Sequence, residues 1–216
     1  MDGPETTEGV ARLWAVAEGL ARSAAAVRGG VASRVPPLLF FTDPDRTPRP
    51  WETAATLPPG AGVVYRAFGR PEALETGLRL RTVTRNRGLK LLVGLDADLA
   101  DRIGADGLHL PERALSAAWS LSGRRPDWIL TGAVHSVEAA LTARYLDAVV
   151  LSPIFPAGGR SADRAALGLA ALTRASTGPV PVIALGGITP ESAQILSGSG
   201  AAGLAAIGAL TDPVGR

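Results

Sequence analysis

Eight short apolar runs recur along the chain, separated by amphipathic or polar stretches. They are PLLFFTD (37–43), VVYRAF (63–68), KLLVGL (90–95), GLHL (107–110), ILTGAVH (129–135), AVVLSPIF (148–155), PVIALGG (181–187) and GLAAIGAL (203–210). Most are continuously apolar rather than alternating, the pattern of parallel strands covered on both faces. Helical patterns lie between them. Residues 8–28 form an alanine-rich amphipathic segment closed by Gly29 and Gly30. Residues 71–85 open with a first-turn proline, and 136–146 place Ser136 at an N-cap with Val137, Ala140 and Leu141 on one face. Residues 190–196 start behind Thr189, where Glu191 suits the positive helix end. The stretches 47–60 and 156–165 are long enough to be loops after strands.

Strands alternating with helices allow a closed barrel or an open doubly wound sheet, and the spacing suits right-handed βαβ units. No GxGxxG follows the first strand, which counts against a dinucleotide-binding sheet. No Pro/Gly/Ser linker divides the chain. The expected fold is α/β: a single compact (β/α)8 TIM barrel over 1–216, with 1–30 as an N-terminal helical extension that plugs the barrel's N-terminal end.

Composition narrows the chemistry. Apolar residues are 46% of the 216, enough for a large core, yet no run reaches the roughly 20 residues of a spanning helix. The acidic N-terminus does not read as a secretory signal, so a cytoplasmic location and no membrane partner are expected. Zero cysteines and two histidines exclude thiol nucleophiles, thiolate metal sites and His-rich metal sites. The pI near 9.6 suggests nucleic acid. The net charge is only +2, however, and the cluster Arg79, Arg81, Arg85, Arg87 has no interleaved aromatics. A solvated helix end is the expected account, with no nucleic-acid partner.

In barrels of this kind the working residues sit at the C-terminal strand ends. Those ends offer Thr42, Asp43, Arg66, His109, His135, Ser152 with Pro153, Arg160, Gly186, Gly187, Ile207 and Gly208. ALGGI (184–188) paired with AAIGAL (205–210) reads as a phosphate cradle, because glycine lets backbone N–H groups approach a ligand; the alternative is a tight strand-to-helix turn. His135 can exchange a proton near neutral pH as general acid/base, or be structural. His109 either touches a ligand or packs. Arg66, a charge amid apolar residues, needs an anion, whether a protein carboxylate or a substrate phosphate. Arg160 either closes over a phosphate or lies exposed in its loop. Paired carboxylates for Mg²⁺ are not evident, so no metal site is expected.

The strand ends also resemble a known family, the thiamine phosphate synthases and their TenI-like thiazole tautomerase relatives. GADGLHL (104–110) is similar to the family's gaDGvHL, TGAVHSVEAA (131–140) to its fifth-strand motif, LSPIFP (151–156) to lgPiFpT and PVIALGGITPES (181–192) to PvvAIGGI with the following helix. FFTD (40–43) fits LvTD and VVYR (63–66) fits VQLR. The resemblance implies a TIM barrel, a thiazole or thiamine phosphate as partner, and a homo-oligomer, commonly a dimer.

The departures concern pyrophosphate and metal. Synthases of the family hold a pyrimidine pyrophosphate through Mg²⁺ on two aspartates; by direct register these become Leu95 and Ala114. Asp96 could replace the first only through a one-residue shift, which would turn it to the other strand face. The lysine of REK is lost in Arg66-Ala67-Phe68, the TxTK loop becomes Ala157-Gly158-Gly159-Arg160, and the serine common after the eighth strand is Gly208. The resulting expectation is a metal-independent thiazole tautomerase with His135 as the proton shuttle and no cofactor. The alternatives are a thiamine phosphate synthase with a rearranged pyrophosphate and Mg²⁺ site, or a non-catalytic phosphate-ligand-binding regulator.

Overall fold

The structure is a computed structural model that describes residues 4–30, 33–158 and 163–211. Eight parallel strands close into a barrel in sequence order: β1 (Leu38–Phe41), β2 (Gly62–Tyr65), β3 (Lys90–Gly94), β4 (Gly107–Leu110), β5 (Ile129–Val134), β6 (Ala148–Leu151), β7 (Val182–Leu185) and β8 (Gly203–Ala206). Each expected apolar run overlaps one of them, β2 starting one residue early at Gly62. Closure is direct, with Leu39 of β1 in register with Ala205 of β8. The continuous apolarity has two faces to serve. Leu39, Phe41, Val64, Leu92, Ile129, Val150, Ile183 and Ala205 fill the barrel interior, while their chain neighbours, such as Leu38, Val63, Leu91 and Leu204, pack outward under helices.

The helices are α1 (Pro4–Val27), α2 (Pro50–Thr56), α3 (Ala73–Arg87), α4 (Ala97–Ile103), α5 (Ala118–Arg124), α6 (Val137–Thr142), α7 (Gly168–Ala175) and α8 (Pro190–Ala193). Ser136 and Thr189 cap α6 and α8 as expected, each accepting a hydrogen bond from a backbone N–H three residues on. The stretch 47–60, expected as a loop, holds α2. Proline at its first position supplies the helical φ that the polar composition obscured.

The N-terminal helix is present but lies mainly along the flank, reaching the barrel's N-terminal end only with its last turn, where Ala24 joins the interior cluster. Val10, Leu13, Ala17, Leu20 and Ala24 form a buried stripe at three- and four-residue spacing, packed against β8, β1 and α8. Arg12 pairs with Glu191 at the start of α8, and Arg28 donates to the carbonyls of Gly178 and Pro179 just before β7. The helix therefore runs down the flank of the barrel. The cause is a gap in the outer layer. α8 is one turn long and continues only as a 3-10 turn (Gln194–Leu196), and among the described residues only a 3-10 turn (Gly208–Leu210) follows β8. The outer faces of β8 and β1 are covered by α1 instead.

The arginine cluster on α3 is largely solvent-exposed, as expected, yet it also makes contacts within the fold. Arg79 stacks on Trp51 at 4.3 Å, Arg81 pairs with Asp106 at 2.7 Å, and Arg87 donates to the Leu57 carbonyl. Three of its four cations tie α3 to its surroundings. No helix among the described residues is long and apolar enough to cross a membrane.

Candidate active site

The C-terminal strand ends surround a cavity of about 1160 Å³. It takes in most of the expected residues: Asp43, Arg66, His109, His135, Ser152, Gly186, Gly187, Ile207 and Gly208. Thr42 and Pro153 are corrections, since neither lines it. Phe41 and Asp43 take the inward positions of β1 and its extension. Thr42 is buried between strands, where its hydroxyl accepts from the Arg66 N–H at 2.9 Å and its carbonyl accepts from Arg66 Nε at 2.7 Å. Pro153, joined to Ser152 by a cis bond, backs the Gly186 turn from behind. Arg160 lies outside the described residues.

Arg66 lies just beyond β2 and finds a protein anion. Its Nη2 lies 3.8 Å from Asp43 Oδ2, and its guanidinium sits over the rings of Phe41 and Phe68, each 5.4 Å to the centroid. Thr42 thus positions the arginine that Asp43 balances.

The two histidines differ in kind. His109 is buried, its Nδ1 3.0 Å from Thr131 Oγ1 and its ring edge-on to Phe41 at 4.9 Å. Burial strips the imidazolium of its hydration, and the Arg66 charge adds repulsion, so its pKa falls to about 3. It is neutral at physiological pH. Because the unfolded chain takes up this proton near pH 6.5 and the native state does not, stability is complete above that pH and falls as pH drops toward 3. The slope from this one group approaches about 1.4 kcal/mol per pH unit. Chemical denaturation between pH 7 and 4 should therefore show a shallower acid loss in His109→Gln than in the parent. Identical slopes would remove the assignment.

His135 is half-buried at the end of β5. Its Nδ1 lies 2.8 Å from the Ser152 carbonyl oxygen, which can only accept, so Nδ1 carries the proton. In the neutral ring the lone pair is then on Nε2, and Glu112 Oε2 lies 4.0 Å from that nitrogen. Such an oriented imidazole suits general acid/base chemistry.

Gly186 and Gly187 both have positive φ, 98° and 64°, and stand against the β6 extension. Ile154 N–H donates to the Leu185 carbonyl and Phe155 N–H to that of Gly186. The turn is both tight and part of the cavity wall.

Asp96 is a second correction. β3 ends at Gly94, and Leu95 takes a left-handed turn (φ 67°) with its side chain half exposed. Beyond the strand both Leu95 and Asp96 line the cavity, and one Asp96 oxygen caps α4 by accepting from Leu99 N–H at 2.8 Å. The family register had taken Leu95 for the inward position and put Asp96 on the other strand face, but the strand ends before either residue. Among the described residues no cluster of three or more His, Asp or Glu could by itself hold a metal.

Sequence reasoning also missed Arg46, Arg113 and Arg164, which line the same cavity. Arg46 and Arg164 are loop residues without a local pattern. Arg113 follows Pro111 in a 3-10 turn, Glu112–Ala117, where HLPERA carries no strand or helix period.

Comparison with known proteins agrees with this geometry. The family described as thiamine monophosphate synthase matches residues 52–210. The thiamine-phosphate synthase of Limosilactobacillus reuteri is 31% identical over 157 residues, covering 68% of this chain and 73% of the relative. That of Chlorobium luteolum is 33% identical over 183 residues, covering 82% and 85%. The solved thiamine phosphate pyrophosphorylase of Pyrococcus furiosus superposes with a TM-score of 0.64 at 26% identity, over 79% of this chain and 84% of that one. With a closed barrel, a glycine turn ending β7 and a match over most of its length, the chain belongs to the thiamine monophosphate synthase family.

Proposed function

We propose that the chain is a thiamine phosphate synthase with a rearranged metal site, joining a thiazole phosphate to a pyrimidine pyrophosphate. This reverses the order of the expectations drawn from the sequence, where the tautomerase came first. The names of its relatives favour the synthase, and one structural observation carries it: Asp96 lines the cavity. Mg²⁺ bound with a diphosphate commonly uses one or two protein carboxylates, phosphate oxygens and water completing its shell. Asp96 is such a carboxylate on the cavity wall, and Asp43, which Arg66 balances, is a second, so the residues present offer the one carboxylate that such an ion requires. The ion, when bound, would neutralise charge on the departing pyrophosphate. Arg66 and Arg113 add fixed positive charge on the same wall, where the family's lysine is absent. Gly186, Gly187, Ile207 and Gly208 anchor the thiazole phosphate through backbone N–H groups.

A second reading, a thiazole tautomerase, is favoured by His135. With Nδ1–H fixed on the Ser152 carbonyl, Nε2 is set to remove a ring proton and return it elsewhere on the same ring. One experiment separates the readings. The purified chain is incubated with each thiazole phosphate isomer, with and without the pyrimidine pyrophosphate and Mg²⁺, and products are followed by NMR. Mg²⁺-dependent pyrophosphate release that falls by about 100-fold or more in Asp96→Asn is expected. No release, together with isomer interconversion abolished in His135→Asn, would transfer the assignment to the tautomerase. Binding without either reaction would leave a regulator.

A further inference from the structure

We infer that Arg46 is a phosphate-binding side chain that closes the β7–β8 cradle from the loop after β1. The inference rests on a phosphate occupying that cradle and adds the residue that grips it. Arg46 lines the cavity together with Gly186, Gly187 and Gly208. Its guanidinium lies over the end of β8: a Cβ added at Gly208 would stand 2.6 Å from Arg46 Nη2 and 3.8 Å from Cζ. Any side chain at position 208 would therefore compete with this cation for the same space. Glycine there removes a hydroxyl that a serine would offer, and the arginine fills the place.

The turn that carries Arg46 is fixed. Thr47 Oγ1 accepts from Asp43 N–H and donates to the Asp43 carbonyl, both at 2.8 Å, and Arg46 N–H donates to that carbonyl at 3.1 Å. Thr47 is buried, so the turn is anchored to the barrel while the Arg46 side chain crosses from β1 to β8. The nearby acids are engaged elsewhere, Asp43 with Arg66 and Asp45 with Arg70 at 2.6 Å. Among the described residues no ion pair engages Arg46. A planar guanidinium beside backbone N–H groups that end two strands suits a phosphate monoester, which can accept two parallel N–H bonds from it.

The test is calorimetric binding of a thiazole phosphate and of the same thiazole without its phosphate, to the parent, Arg46→Gln, Arg46→Lys and Arg46→Gln/Gly208→Ser. The side chain is exposed, so the variants should fold, and a thermal melt confirms it. Arg46→Gln is expected to weaken the phosphate ligand by about 10- to 100-fold and the dephosphorylated one by less than about twofold. Arg46→Lys should retain part of the affinity. Serine at 208 should restore some of it to the glutamine variant, because it returns a donor to the vacated space. Equal phosphate-ligand affinity in Arg46→Gln and the parent would overturn the role of Arg46 alone. A parent that does not distinguish the two ligands would overturn the phosphate cradle as well. A double variant no tighter than Arg46→Gln would overturn the exchange of arginine for hydroxyl.

Discussion

Alanine at position 187 is expected to lower affinity for a thiazole phosphate by about 100-fold, through the backbone rather than through any lost side chain. Gly187 sits at φ 64°, a left-handed conformation that costs about 1–2 kcal/mol for a residue with a Cβ. The added atom would also stand 2.5 Å from the Pro156 carbonyl oxygen and 2.7 Å from Phe155 Cβ. Neither side can withdraw cheaply. The β6 extension is tied to the β7 end by the Ile154 to Leu185 and Phe155 to Gly186 hydrogen bonds. Relief must separate the two and re-aim the backbone N–H groups proposed to hold the phosphate. Alanine at Gly208 should be milder, because the atom it meets is the far end of the Arg46 side chain. Titration with the phosphate ligand and its dephosphorylated form checks both. A Gly187→Ala affinity within twofold of the parent would mean the phosphate is held elsewhere.

The largest expected loss of stability is at Gly107→Ala, more than about 4 kcal/mol. Gly107 of β4 is paired with Ile129 of β5, and a Cβ there would fall inside the Ile129 carbonyl, 2.7 Å from both its carbon and the Ile129 nitrogen. In an open sheet an edge strand could move away. In a closed barrel β4 and β5 are each held from the other side, by β3 and β6. Urea denaturation measures the loss. Should the variant fail to accumulate, Gly107→Ala in the presence of saturating ligand offers a second measurement, since binding stabilises only the folded form. A midpoint unchanged from the parent would show that the two strands can part locally.

The candidate site was readable in unequal parts. His109, His135 and the two glycines of β7 were found because each ends an apolar run, and barrel strands aim such positions at the mouth. Thr42 and Pro153 end runs too, yet they face between strands or behind a turn, since side-chain direction alternates with every residue. Asp96 was misplaced for a related reason. A single left-handed residue, Leu95, ends the strand early, and nothing in GLDADLA marks that residue as left-handed, a conformation usually given to glycine or asparagine. Arg46 had no local signal at all. Its relevance comes from Gly208, far along the chain but adjacent across the β1–β8 seam.

By itself the sequence determined the eight strands, the caps of α6 and α8, the buried stripe of α1 and the family motifs at the strand ends. These depend on periodicity and hydrogen bonds within a few residues, so their spacing is written into the chain. Only the tertiary structure decided where α1 lies, which partners three of the α3 arginines find, which carboxylates reach the cavity and which cation stands over β8. Those outcomes depend on barrel closure, which brings the first and last strands together, and on which outer face a one-turn α8 leaves uncovered.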